Sequence, residues 1–267
     1  MEVVPGRLPG KAPYRGTTMT GYQVPILRSR FPSPGRHPAH AEIYAHCKAF
    51  CEDVLHPIAR TRYDTVRGTY PDTGAGYCSL IYPTGRTDQV KRLACFYSLW
   101  TFIDATRVLR TIQINREPLG PERYVDLRHA NVAAPAMVTF IGYVRPELAG
   151  ELLAAMRTGT CRTIERHLGT CWGIALDLAL IDAGRANVDD WTTVDQVVRR
   201  GTPGGRQEAI DASVSWFHQA EQHLVAALAE LATVHPAVSG AVRDIEAGTM
   251  TWIEESRRRG LRYDDPA

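Results

Sequence analysis

The sequence predicts an all-α fold, a single helical bundle. Three observations carry that expectation. Apolar residues recur at three- and four-residue spacing almost throughout. No run alternates apolar and polar residues between hairpin-type turns. Glycine and proline gather in a few breakers that separate long periodic segments. Apolar residues make up 44% of the 267, enough to cover the interior of one large domain.

The elements follow in order. Residues 1–38 are rich in Pro, Gly and Arg and lack periodicity, so they read as an arm that wraps the surface or a pocket mouth. Residues 39–267 read as a single helical domain. Ala39 to Leu55 places Ile43, His46, Cys47, Phe50 and Val54 near one face of a first helix. A stronger helix is expected over 89–112, where Phe96, Trp100, Ile103, Arg107 and Val108 share a broad face and Asp104 lies within it, one turn after Trp100. Pro118, Gly120 and Pro121 end that segment. Residues 133–158 form a less regular helical stretch, broken near Pro146. Residues 162–183 set Leu168, Trp172, Ala175, Ala179 and Asp182 on one stripe. Trp191 to Arg200 is a short helix with Asp189 and Asp190 at its start, where the helix dipole favours acids. Gly201 to Gly205 (GTPGG) is a breaker. Residues 206–232 are amphipathic through Ile210, Val214, Phe217, Leu224, Leu228 and Leu231. The last helix, 238–258, carries Val242, Ile245, Thr249 and Trp252 along one face and ends in the run Arg257, Arg258, Arg259, read as a solvated helix end.

Composition excludes several functions. A net charge of +2 gives no electrostatic case for nucleic acid or an acidic membrane surface. No apolar run reaches the length of a membrane span, and no continuous apolar signal core opens the chain. Six cysteines without a CxxC pair read as buried free thiols of a cytoplasmic protein. Histidines 37, 40, 46 and 56 lack metal-ligand spacing, GTPGG lacks the Lys-Ser/Thr of a phosphate loop, and no dinucleotide or nucleophile-elbow signature is present.

Four segments carry a family resemblance, in the right order. They are FPSPGRHPAHAE at 31–42, YCSLIYP at 77–83 followed by a helix ending LWTFID at 99–104, GRANVDDWTTVDQVVRRGTPGG at 184–205, and GTMTWIEESRRRGLRY at 248–263. In these the chain resembles the bacterial class I terpene cyclases (terpene synthases). The resemblance implies an abridged helical bundle of the class I terpenoid synthase type. It implies a terpenoid or prenyl diphosphate substrate, Mg²⁺ held by a DDxxD and an NDxxSxxxE motif, and an aromatic cavity that steers a carbocation. The chain departs from the family at both metal motifs. The DDxxD position reads DATRV, so only Asp104 carries over, and one carboxylate is a poor Mg²⁺ site. The nearest stand-in for the second motif, DLALIDAGR at 177–185, lacks the Asn, Ser and Glu, although Asp177 or Asp182 would add a ligand from a facing helix.

The residues that carry the expected chemistry are therefore few. Asp104 is the candidate catalytic group, either as a weak metal ligand or as an acid whose pKa is raised on an apolar face. Arg107 is either its i,i+3 ion-pair partner or a fixed cation in the place of a metal. Arg199, Arg200, Arg262 and Tyr263 are the candidate diphosphate-binding groups. Tyr97, Trp100, Trp172 and Trp252 are the candidate cavity wall. Three functions follow from this set: a terpene-cyclase-like lyase or isomerase with divergent ionisation, an inactive relative that binds a hydrophobic small molecule or a partner enzyme, and an interaction subunit with a packed interior. Helical faces of this kind also suit a homodimer.

Overall fold

The computed structural model describes residues 21–55, 57, 71–104, 119–184, 193–200 and 204–258, with the backbone alone for 101–104. Among them every regular element is helical. Helix α1 (His40–Phe50) runs into a π-helical turn, Cys51–Leu55. A second π-helical turn, Asp72–Gly76, leads into α2 (Tyr77–Ile81). Then come α3 (Thr87–Asp104), α4 (Pro121–Asn131), α5 (Ala134–Val144), a 3₁₀ turn at Pro146–Leu148 and α6 (Ala149–Met156). The chain finishes with α7 (Gly159–Asp182), the short α8 (Val194–Arg199), α9 (Arg206–Val234) and α10 (Pro236–Arg258).

Local chemistry sets these boundaries. Thr158 caps α7, its hydroxyl accepting from the Cys161 N–H at 3.2 Å. Gly205 and Glu208 close the start of α9, the Glu208 carboxylate accepting from the Gly205 N–H at 2.9 Å. His235 alone separates α9 from α10, because Pro236 cannot continue a helix but starts one readily. The resulting hairpin is pinned by Ser239, whose hydroxyl donates to the Leu228 carbonyl at 2.8 Å.

Helix α7 is the centre of the bundle, in contact with α4, α5, α6, α8, α9 and α10. Its 3–4 spaced Ile164, Leu168, Cys171, Trp172, Ala175 and Leu178 are buried. Helix α10 joins this group to a second one made of α1, α3 and the Asp72–Ile81 segment. The join is unusually close at Gly248, where an added Cβ would lie 2.3 Å from the Leu80 carbonyl oxygen. Gly248→Ala must push α10 off α2. It is expected to cost about 1–3 kcal/mol, read as a lower denaturation midpoint with unchanged helix content.

Residues 21–39 form neither helix nor strand and lie along α9 and α10. Gln23 exchanges hydrogen bonds with Gln207, Arg28 pairs with Glu254 at 2.8 Å, and Arg30 pairs with Glu221 at 2.8 Å. Arg257 was expected in solvent. Instead it donates to Asp182 and to the Val24 and Pro25 carbonyls, because the arm passes over the end of α10. At the FPSPGRHP segment, Ala39 N–H donates to His37 Nδ1 at 3.0 Å, which leaves His37 Nε2–H to donate to the Gly85 carbonyl at 2.8 Å.

Two helices escaped the sequence reading, the turn through α2 and α4. The spacing places Pro121 at the end of one segment, whereas it is the first residue of the next. The expected continuation of α3 to residue 112 lies outside the described residues. No helix among the described residues is long and apolar enough to cross a membrane. All six cysteines are buried and free.

Candidate functional site

Helix α3 carries the expected active-site helix face. Tyr97, on α3, stacks on Tyr77 of α2 with ring centroids 4.6 Å apart, and Tyr77 in turn meets Trp252 of α10 at 5.0 Å. The Tyr77 hydroxyl is 3.1 Å from Thr249 Oγ1, one turn before Trp252. Burial lifts the Tyr77 phenol above its ordinary pKa, so it stays neutral. Two expected cavity residues, Tyr97 and Trp252, are thus brought together through Tyr77, which the sequence reading did not single out.

The other two go elsewhere. Trp100 packs edge-on against Phe96 at 5.7 Å, and Phe96, which is exposed, meets Phe140 of α5 at 5.8 Å. Trp100 therefore belongs to an aromatic row that runs through Phe96 to α5. Trp172 is fully buried in α7, and among the described residues its indole N–H meets no acceptor. Asp104 ends α3, but its side chain, and all of Arg107, Arg262 and Tyr263, lie outside the described residues. Arg199 and Arg200 end α8, both exposed, with Arg200 donating to the Leu119 carbonyl at 3.4 Å.

The carboxylates of α7 that would extend a metal site are engaged by arginines. Asp177 is fully buried and takes a guanidinium N–H from Arg128 of α4 on Oδ1. Its Oδ2 accepts from the Tyr124 hydroxyl at 2.8 Å and from the Val194 N–H at 2.9 Å. Burial nevertheless lifts this carboxyl to about 6, against the opposing pull of Arg128. Asp182 is held by Arg257. Mg²⁺ wants open, near-octahedral oxygen ligands, and these two groups do not fit it. Among the described residues no three His, Cys, Asp or Glu side chains are grouped to hold an ion.

A further acid emerged that the sequence reading passed over. Glu246 of α10 is completely buried, accepts from the Ser29 hydroxyl of the arm, and leaves Oε1 without a partner among the described residues. Burial raises its pKa to about 8, and the neighbouring Glu221 of α9 adds to the rise. The available signal was its place on the buried stripe, four residues after Val242 and three before Thr249.

Solved structures share this fold. A hedycaryol synthase in complex with nerolidol superposes with a TM-score of 0.65 at 13% identity, over 88% of this chain and 100% of that one. The same synthase in complex with HEPES gives 0.64 at 13%, over 88% and 99%. A cucumene synthase variant gives 0.54 at 13%, over 86% and 100%. The fold is that of the class I terpene cyclases. No family model matches the chain, and no curated protein matches it.

Proposed function

We propose that this chain is a terpene-cyclase-like enzyme that cyclises or rearranges a terpenoid or prenyl substrate against the Tyr97 side of α3, without relying on two acidic metal motifs. The observation that carries this reading is the assembled Tyr77–Tyr97–Trp252 aromatic group, together with the pairing of Asp177 and Asp182 with Arg128 and Arg257. Ring faces stabilise a passing carbocation, and such chemistry needs water excluded from it. The nerolidol complex of the hedycaryol synthase supports a terpenoid alcohol or hydrocarbon as ligand.

Asp104, at the end of α3, is the proposed acid. Its O–H protonates a terminal alkene, a second alkene closes the ring on the resulting cation, and the carboxylate takes a proton back, so the reaction is an isomerisation. With a diphosphate substrate, Arg199, Arg200, Arg262 and Tyr263 are the proposed anion-binding groups, and Arg107 the fixed cation beside Asp104. The arginine pairing on α7 also favours a second reading, an inactive relative that only holds a hydrophobic ligand.

The test incubates the purified protein with geranyl, farnesyl and geranylgeranyl diphosphates and with nerolidol, with and without Mg²⁺. Cyclic products are followed by mass spectrometry and diphosphate release in parallel. Turnover without Mg²⁺ that falls by about 10²-fold or more in Asp104→Asn is expected. Ligand binding with no product from any substrate assigns the second reading, and unchanged turnover in Asp104→Asn removes the proton-donor role.

A further inference from the structure

Away from the aromatic group, α7 and α9 present two imidazoles to each other across their outer seam. The rings of His167 and His223 lie with centroids 5.1 Å apart and planes inclined by 53°. They border a groove of about 280 Å³ between α4, α7 and α9, which Trp216 and Glu122 also line. His167 is half-buried and His223 exposed, so one ring is held by the fold and the other is free to turn towards it. Arg166, on the same groove, directs its guanidinium to Asp126 at 3.3 Å.

We propose that His167 and His223 form a chelating site for a divalent transition ion such as Zn²⁺, Ni²⁺ or Cu²⁺, which staples α7 to α9. The separation is the one that two imidazoles adopt on a tetrahedral ion. With a metal–nitrogen bond of about 2.0–2.1 Å and a nitrogen about 1.2 Å from the ring centre, each centroid sits about 3.2 Å from the ion. A tetrahedral angle of about 109° then sets the centroids about 5.2 Å apart. Neutral imidazole suits these borderline ions and not Mg²⁺, which prefers oxygen. Burial, with the facing His223 and Arg166 adding to it, lowers the His167 pKa, so its ring is neutral and its lone pair available at pH 7. The remaining coordination positions open on the groove, where water or a small carboxylate fits, and Glu122 adds negative charge at its rim. No local motif marks this pair, because the two residues stand 56 positions apart on different helices.

Thermal unfolding of the full chain with added Ni²⁺ or Zn²⁺ tests the site. At an ion concentration about a hundredfold above Kd, Tm is expected to rise by roughly 5 °C and to fall back when EDTA is added. His167→Ala and His223→Ala should each abolish the rise, while His46→Ala, an exposed histidine on α1, keeps it and Mg²⁺ produces none. Cu²⁺ bound to the native chain should show two-nitrogen coupling in its electron paramagnetic resonance spectrum, reduced to one in His223→Ala. No ion-dependent rise, or an undiminished rise in a folded His223→Ala protein, overturns the proposal.

Discussion

Asp177→Asn is expected to destabilise the protein by about 3–5 kcal/mol, and Arg128→Met by distinctly less. The asymmetry follows from what each change leaves behind. Asparagine removes the charge that Asp177 sets against the Arg128 guanidinium, which is 6% exposed, and an arginine cannot shed its proton at neutral pH. Its amide also offers a single oxygen where the carboxylate serves Tyr124, Val194 and Arg128 together. Methionine leaves a buried carboxyl instead. That group is already lifted to about 6 with Arg128 present and rises further without it, so it takes up a proton and becomes neutral. The Arg128→Met penalty should shrink as pH falls from 7 to 5, because the variant's carboxyl is already protonated, while the Asp177→Asn penalty should grow by about 1 kcal/mol, because the native carboxyl, at about 6, takes up a proton there and asparagine cannot. Urea denaturation of both variants at pH 5, 6 and 7 reads both effects. Equal penalties at pH 7 would show that Asp177 is not the counter-charge that α4 depends on.

Glu246→Gln follows the direction of Asp177→Asn, with a larger change. The folded carboxyl, at about 8, holds its proton through the range in which the unfolded side chain, at about 4.5, has lost it. The folded state therefore binds more protons between those values, and stability falls as pH rises. From pH 4.5 to pH 7 this amounts to about 3 kcal/mol. Glutamine carries no such dependence but leaves its amide N–H beside the place where Oε1 has no partner, at a cost of about 1–3 kcal/mol at every pH. The variant should be the less stable protein near pH 4.5 and gain about 3 kcal/mol relative to the native chain by pH 7. Parallel stability–pH curves for the two proteins would exclude a buried, protonated Glu246.

The long helices were legible because their periodicity is strong. Helices α7, α9 and α10 begin and end within about three residues of the spans read from spacing, and the break near Pro146 falls where α5 gives way to α6. Helix α4 was not legible. Its sequence PERYVDLRHAN is mostly polar, and its one orienting signal is a proline that closes one segment as readily as it opens another. Tertiary partners hold it in place, since Tyr124 and Arg128 reach Asp177 across 53 and 49 residues.

The candidate site divides along the same line. Tyr97 and Trp252 could be nominated from α3 and α10, but their meeting depends on Tyr77, which is placed by the close approach of α2 to α10 at Gly248. Trp100 is legible from its place one turn before Asp104, but its ring contact with Phe96, and that of Phe96 with Phe140 of α5, come from tertiary packing. Asp177 and Asp182 looked like spare ligands because a sequence shows carboxylates and not the arginines that fold onto them.

The sequence by itself determined the all-α class, the run of periodic helices and the absence of any DDxxD or NDxxSxxxE run. Each of these is a property of neighbouring residues, and short-range spacing expresses it directly. Only the tertiary structure decided which charges are spent. The same Asp is a metal ligand in water and half of an ion pair beside a buried guanidinium, and a carboxyl such as Glu246 becomes an acid of pKa about 8 only once α9, α10 and the arm have excluded water from it.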